Sequence, residues 1–218
     1  MKSPSKSSSQ DPSDQELSKR STMQIQRKFF IPFSKKSNIR DEYKFIKEIG
    51  VGATGRVFEA IHNVSGETRA IKIVMKMDLE NEESLREEIR EEYRILMEAD
   101  HPNIIKLYEV FETSSCLSLV MEYCEGGELF ELISEMNHLQ EAQVAVIVKQ
   151  ILAALSYCHK NMIIHRDIKP ENFMFSRNGD INSIKMIDFG FSKKMTKGEL
   201  LRTPNGTLYF LAPEMMDG

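Results

Sequence analysis

One short stretch of this 218-residue chain decides its fold: His165-Arg166-Asp167-Ile168-Lys169-Pro170-Glu171-Asn172. Because a helix interior does not tolerate proline, Pro170 predicts a loop between a preceding helix and a short strand at 173–175. The loop places a carboxylate, an ammonium and a carboxamide within six residues, at Asp167, Lys169 and Asn172. These groups are suited to act as a proton acceptor, a phosphate clamp and a metal ligand.

A second carboxylate follows sixteen residues downstream, at the end of the predicted strand in Lys185-Met186-Ile187-Asp188-Phe189-Gly190. Asn172 and Asp188 are hard oxygen ligands of the kind that bind Mg²⁺ together with substrate phosphates. A third run, Ala212-Pro213-Glu214, ends 26 residues after Asp188.

Upstream lies a glycine-rich run, Gly50-Val51-Gly52-Ala53-Thr54-Gly55-Arg56-Val57. Glycines allow a turn between two strands to pass close over phosphates, where backbone N–H groups meet the oxygens. A strand rather than a helix follows the run, so it is not a dinucleotide-binding fingerprint. An ordinary glycine turn is the alternative, since such turns are common.

Lys72 lies in a predicted strand at 68–74 and shares a face with Ala70. A lysine on that face is either at a sheet edge or paired with a charge. Glu92 is a candidate partner, because it lies on the apolar stripe of a charged helix predicted at 82–98. The alternative for Glu92 is an exposed position beside the other glutamates of that helix.

The order of predicted elements indicates an α+β fold with two lobes. Strands are predicted near 43–49, 56–61, 68–74, 105–112 and 117–122, and a further helix at 141–159. We therefore expect an N-terminal lobe at about 41–122, a hinge at about 123–127 and a mainly helical C-terminal lobe at about 128–218.

Residues 1–40 differ in composition from the rest of the chain. They contain nine Lys or Arg against three Asp or Glu, and eight serines precede Thr22. Too few apolar residues are present to offset the entropic cost of ordering, so a disordered basic tail is predicted. A docking or membrane-surface segment is the alternative.

Composition also limits the partners and the compartment. Residues 41–218 carry a net charge of −10, which argues against nucleic acid as the main partner. The three cysteines lie in apolar stretches without metal-ligand spacing, so we expect a reducing compartment, the cytoplasm or the nucleus. No apolar run approaches the roughly 20 residues that span a bilayer, and no transmembrane segment is expected.

Taken in order, the glycine-rich run, Ala70-Ile71-Lys72, residues 165–172, Asp188-Phe189-Gly190 and Ala212-Pro213-Glu214 resemble the eukaryotic protein kinases. The resemblance runs from about Tyr43 to the end of the chain. Finer features are similar to the calcium- and calmodulin-regulated group, and most to the calcium-dependent kinases of plants and protists: His101-Pro102-Asn103-Ile104-Ile105-Lys106-Leu107-Tyr108, Glu125-Gly126-Gly127-Glu128-Leu129-Phe130 and the run 188–194. The resemblance implies ATP and Mg²⁺ as cofactors and phosphate transfer to Ser or Thr of proteins.

The resemblance also implies roles for individual residues. Asp167 and Lys169 are the expected catalytic residues, and Asn172 and Asp188 the expected Mg²⁺ ligands. Lys72, held by Glu92, is expected to bind the ATP phosphates. The remaining expected ATP-binding residues are Ile49, Gly50, Val51, Gly52, Ala53, Thr54, Gly55, Arg56, Val57, Ala70, Met121, Glu122, Cys124, Glu128 and Met174.

Three further expectations concern the substrate side of the site. Thr203 is a candidate phosphorylation site whose phosphate would pair with Arg166. Thr207 is expected to contact Asp167 and Lys169. Glu128 and Glu171 are candidates for recognising a basic residue near the phosphorylated Ser or Thr, with a ribose contact and loop solvation as the alternatives.

The resemblance implies further C-terminal helices after Gly218, so the sequence is expected to be a truncated kinase domain. Calcium control would then lie in a downstream calcium-sensing region or in calmodulin, outside this chain. The alternative function is a non-catalytic kinase fragment or pseudokinase that binds nucleotide or protein.

Overall fold

The computed structural model describes residues 34–52, 55–79, 83–135, 139–196, 198–199 and 206–213. The helices are α1 (Ile39–Glu42), α2 (Glu83–Glu98), α3 (Leu129–Glu135) and α4 (Glu141–Lys160), with 3-10 turns at Lys76–Leu79, Pro170–Asn172 and Leu208–Phe210. The strands are β1 (Tyr43–Gly52), β2 (Gly55–His62), β3 (Thr68–Met75), β4 (Leu107–Glu112), β5 (Cys116–Glu122), β6 (Ile163–Ile164), β7 (Phe173–Phe175), β8 (Ile184–Met186) and β9 (Lys193–Lys194). An antiparallel N-terminal sheet thus precedes a mainly helical part, which is the predicted two-lobed α+β arrangement.

Five strands form the N-terminal sheet in the order β1-β2-β3-β5-β4. Residues directly opposite each other on antiparallel strands point to the same face. Val57 opposes Lys72, and Lys72 opposes Leu119, so these residues share one face of the sheet. The other face packs in a core that contains Ile71 and Val120. The alternation of β3 therefore directs Lys72 away from this core.

Helix α2 buries one side. Ile89, Tyr93 and Leu96 of the expected stripe are buried, and Ile95 and Glu92 are buried with them. Residues 105–106, expected to begin β4, instead lie between the lobes: the Ile105 N–H donates to the Met186 carbonyl of β8 at 3.0 Å.

Helix α4 begins after Gln140, whose N–H donates to the side-chain carbonyl of Gln143 at 3.1 Å. It packs on the β8 side of the lobe, because the Gln150 side chain donates to the Ile181 carbonyl at 2.8 Å. Ala154 and Cys158 are fully buried, whereas Val144, Val148 and Leu152 are more than a third exposed.

By length and composition alone, α4 is apolar enough to cross a membrane. The sequence predicts no apolar run of spanning length, and by length and composition alone this helix differs from that prediction. A single helix of this kind is only a weak indication of a membrane span, since core helices of soluble proteins meet the same criterion.

The predicted disordered tail, residues 1–40, extends too far towards the C-terminus. Residues 34–40 contact the sheet, with Ile39 buried in its core and Lys35 paired in parallel with Phe111 of β4. Ion pairs to residues far along the chain hold this segment, and its own composition did not reveal them. Residues 1–33 lie outside the described part of the chain.

Candidate active site

The loop 165–172 lies between β6 and β7 and is partly buried. His165, Asp167 and Asn172 are each 5% exposed or less. Arg166 has φ +69°, an uncommon value for a non-glycine residue that marks a constrained backbone. Gly206 packs closely against the Arg166 backbone, because a Cβ at position 206 would lie 2.6 Å from the Arg166 carbonyl oxygen. Glycine at 206 thus lets the segment that carries Thr207 approach the loop.

Asp167 is held by groups on both its oxygens. Oδ2 lies 2.8 Å from Lys169 Nζ and accepts from Asn172 Nδ2 at 3.0 Å. Oδ1 accepts from the Thr207 hydroxyl at 2.7 Å and the Thr207 N–H at 3.0 Å. Lys169 also donates to the Thr207 hydroxyl at 2.9 Å, so the three side chains form one network, as expected for Thr207.

This network fixes the protonation state of Asp167. Burial alone would raise the pKa of its carboxyl, but hydrogen bonds from Lys169, Thr207 and Asn172 outweigh burial and hold the pKa below its ordinary value. Asp167 is therefore an oriented carboxylate at neutral pH, a form that can accept a proton.

Asn172 and Asp188 fit a Mg²⁺ site by the chemistry of their donor atoms. Asn172 Nδ2 donates to the Asp167 carbonyl at 2.7 Å, which leaves Oδ1 as the amide atom suited to a cation. The Ile187 N–H donates to the Asn172 carbonyl at 3.0 Å and so brings the neighbouring Asp188 to the loop. Asp188 Oδ1 accepts from the Gly190 N–H at 2.9 Å.

Within the part of the chain that the structure describes, no group of three or more His, Cys, Asp or Glu could hold a metal ion. The protein thus offers one carboxylate and one amide oxygen at this place. That set suits Mg²⁺, which proteins commonly hold through one or two carboxylates together with substrate phosphates.

Lys72 and Glu92 form a buried ion pair. The ammonium lies 2.7 Å from Oε1 and 2.9 Å from Oε2 of the glutamate. Their side chains are only 13% and 4% exposed. The alternative of an exposed Glu92 is excluded.

The other expected nucleotide residues that the structure describes lie on β1, β2, β3, β5 and β7 and in the segment after β5. Ala70 opposes Met121, on the face that Lys72 and Val57 share. Glu128 pairs with Met174 of β7 in an isolated bridge. Ile49, Gly50, Val51, Gly52, Gly55 and Arg56 lie on β1 and β2, whereas Ala53 and Thr54 fall outside the described residues.

Backbone hydrogen bonds join the hinge, residues 123–127, directly to β7. The Gly126 N–H donates to the Phe175 carbonyl at 2.8 Å, and the Phe175 N–H donates to the Gly127 carbonyl at 2.9 Å. A Cβ at Gly126 would lie 2.6 Å from the Phe175 Cβ, so glycine is needed there.

Cys124, in the hinge, is a neutral thiol, because burial raises its pKa to about 12.

The Glu122 side chain forms an ion pair that the sequence did not predict. Its carboxylate lies 2.8 Å from Lys185 Nζ on β8, so an ion pair links the end of β5 to the strand that leads to Asp188. Lys185 carried no signal in the sequence beyond its place before the 188–190 run. Only the backbone of Glu122 is therefore a candidate for the expected nucleotide contact.

An acidic rim, defined here as Glu128, Glu131 and Glu171, lies beside Asn172 of the loop 165–172. Burial, with the charges of Glu131 and Glu171, raises the pKa of the Glu128 carboxyl. Oε2 of Glu171 is buried and has no hydrogen-bond partner among the described residues. Buried carboxylate oxygens are normally paired, so this atom is suited to a donor from a ligand.

The segment after Asp188 contacts α2 through Lys194. The Lys194 N–H donates to Glu91 Oε1 at 2.9 Å, and the Lys194 ammonium pairs with Glu98. Arg166 donates to the Phe191 carbonyl at 2.5 Å. Thr203, the candidate phosphorylation site, and Glu214 lie outside the described residues.

The protein kinase domain family matches residues 43–218, so the chain belongs to the protein kinase family. Within it, the chain is 44% identical over 178 residues to calcium-dependent protein kinase 5 of Plasmodium berghei (strain Anka) and 43% identical to calcium-dependent protein kinase 5 of Plasmodium falciparum (isolate 3D7). These matches confirm the resemblance to Ser/Thr kinases of the calcium-dependent group. Each covers 82% of this chain but only 30% of the relative.

Proposed function

We propose that this protein transfers phosphate from ATP to serine or threonine hydroxyls of protein substrates. The observation that carries the proposal is the Asp167 network. It presents a buried, ionised carboxylate oriented by Lys169, Asn172 and Thr207. Nearly every rate contribution in phosphoryl transfer is positioning and charge neutralisation, which is what such a network supplies.

Each residue then has a definite task. Asp167 accepts a hydrogen bond from the substrate hydroxyl and takes its proton as that oxygen bonds to the terminal phosphorus of ATP and ADP leaves with the bridging oxygen. Lys169, 2.8 Å from the same carboxylate, neutralises charge where the phosphoryl group is transferred. Lys72, kept in place by Glu92, holds the remaining phosphates.

Asn172 Oδ1 and the Asp188 carboxylate would hold Mg²⁺. When bound, Mg-ATP supplies the phosphoryl group and a cation that screens the phosphate charges. Val57, Ala70, Met121 and Met174 would contact the adenine, with backbone groups of Glu122 and Cys124 at its edge.

We propose a basic residue near the target Ser or Thr as part of the substrate. Two observations support it: the clustered charges at Glu128 and Glu131, and the buried oxygen of Glu171 without a partner among the described residues. A guanidinium would satisfy both, because it donates several hydrogen bonds in a fixed fork.

Calcium control is proposed from the relatives, whose names describe them as calcium-dependent. It would act through a calcium-sensing region or calmodulin outside the described residues. Cytoplasmic or nuclear location is proposed from cysteine usage alone.

The test is phosphate transfer from ATP to a Ser peptide with an upstream Arg, by the chain and by its Lys72→Met variant. We expect transfer by the chain and loss of at least about 100-fold in the variant. Transfer by neither, with ATP still bound, would support a non-catalytic nucleotide-binding module instead.

A further inference from the structure

An arm, defined here as residues 34–38, lies along the outer edge of the N-terminal sheet. The Lys35 N–H donates to the Val110 carbonyl at 2.7 Å, and the Glu112 N–H donates to the Lys35 carbonyl at 2.8 Å. Because β4 is the edge strand, these bonds pair N–H and C=O groups that the sheet alone would leave open. The arm precedes residue 43, where the match to the kinase family begins.

Two carboxylates of β4 hold the arm through its side chains. Lys35 Nζ lies 2.7 Å from Glu109. Lys36 Nζ lies 2.6 Å from Glu112 Oε2, and the Ser34 hydroxyl donates to the same oxygen at 3.0 Å. Glu112 is 5% exposed, and a carboxylate this buried needs paired cations and donors.

Glu112 also binds the segment that leads into α2. Its Oε1 accepts from Lys76 Nζ at 2.8 Å, and Lys76 begins the 3-10 turn Lys76–Leu79 before that helix. Burial, together with the negative charge of Glu112, raises the pKa of the Tyr93 phenol on α2. Tyr93 is the neighbour of Glu92, the partner of Lys72.

We propose that the arm positions α2 through Glu112. Ser34 and Lys36 hold one carboxylate oxygen of Glu112 and Lys76 holds the other, so the arm fixes the start of α2. That in turn keeps Glu92 within reach of Lys72. Glu112 is thus a positioning residue for ATP engagement, and this consequence rests on the proposed kinase function.

Hydrogen exchange of the full chain tests the mechanical link without any activity. Ser34→Asp replaces the hydroxyl that donates to Glu112 at 3.0 Å with a negative charge, and Glu112→Gln removes the charge that the lysines bind. Ser37→Asp is the matched control, because it adds the same charge to the arm beside the less buried Glu42 rather than Glu112. We expect α2 amides to exchange at least about threefold faster in the first two variants and unchanged in the control.

Unchanged exchange of α2 in both Ser34→Asp and Glu112→Gln overturns the inference. So does an equal increase in Ser37→Asp, which would mean that any charge on the arm has the same effect.

Phosphate transfer tests the consequence for ATP. We expect Ser34→Asp to raise the KM for ATP about three- to tenfold, with the KM for peptide unchanged. A merely structural role would lower the melting temperature and leave the KM for ATP unchanged, and that result contradicts the inference. If the unmodified chain transfers no phosphate, the proposed function fails, while the hydrogen-exchange result still decides whether the arm positions α2.

Discussion

The ammonium of Lys72 on β3 and the carboxylate of Glu92 on α2 lie 2.7 Å apart in a nearly solvent-free setting. The pair joins the sheet to its helix, and it does so at the face where the nucleotide is expected. An ion pair so placed combines a structural role with the proposed role in holding ATP, and mutations can separate the two.

Removing one partner of this pair should destabilise the fold more than removing both partners. Glu92→Leu or Lys72→Met alone leaves a buried charge without its partner and should lower the free energy of unfolding by about 3–5 kcal/mol. The double variant removes both charges and should be more stable than either single variant. Urea unfolding of all four proteins measures this, and additive losses would contradict it.

The glycines of the 50–55 run should differ in their structural importance. A Cβ at Gly55 would lie 2.3 Å from the Ile73 carbonyl oxygen, whereas one at Gly50 would meet only the Val57 Cβ at 3.9 Å. Gly55→Ala should therefore destabilise the fold by about 1–3 kcal/mol and Gly50→Ala by much less. Thermal unfolding of the two variants makes the comparison, and equal losses would show that the strand packing is not the cause.

Stability should depend on pH through Glu112. Burial alone would raise the pKa of its carboxyl, but hydrogen bonds from Lys36, Lys76 and Ser34 lower the pKa below its ordinary value. A depressed pKa contributes stability that is present above the unfolded value, about 4.3, and is lost as the pH falls through the folded value. Glu112→Gln should therefore be destabilised at pH 7, and its deficit relative to the unmodified chain should shrink below about pH 4. Denaturant unfolding across this range checks the sign, and a deficit that grows with acid would contradict it.

Thr207 should affect turnover more than folding. Its hydroxyl joins Asp167 and Lys169 at 2.7 and 2.9 Å. Thr207→Ala removes both bonds and should lower kcat about 10- to 100-fold, whereas Thr207→Ser keeps the hydroxyl and should retain most activity. Steady-state kinetics with a Ser peptide distinguish them, and equal activity of the two variants would remove Thr207 from the proposed site.

The acidic rim should give the protein a preference for peptides with a basic residue near the target Ser. Glu128→Gln should raise the KM for a peptide with an Arg near its Ser, with little effect on an Ala-substituted peptide. Glu135→Gln on α3 is the control, since Glu135 is exposed. Parallel kinetics with both peptides give the result, and an equal change for both peptides would argue for a ribose contact by Glu128.

The sequence predicted those parts of the fold that depend on local patterns. Alternation in Thr68–Met75 and the apolar stripe of Glu83–Glu98 are properties of neighbouring residues, and both gave the correct element. The Lys72–Glu92 contact was also predictable, because Glu92 falls on the buried side of its helix.

The remaining features depend on contacts between distant residues. The arm is a polar Ser-Lys-Lys segment, and its order comes from Glu109 and Glu112, more than 70 positions away. The Glu122–Lys185 pair likewise joins two strands that no local pattern connects. Gly55 was predicted as a phosphate contact, but its close approach to Ile73 appears only in three dimensions.

The most direct test of the proposed mechanism replaces the carboxylate of Asp167. The measurement is the rate of phosphate transfer from ATP to a Ser peptide by Asp167→Asn and the unmodified chain, with ATP affinity measured for both. We predict a fall of about 100- to 10,000-fold in rate with ATP affinity retained. Equal rates in the two proteins would contradict the assignment of Asp167 as the proton acceptor and, with it, the proposed mechanism.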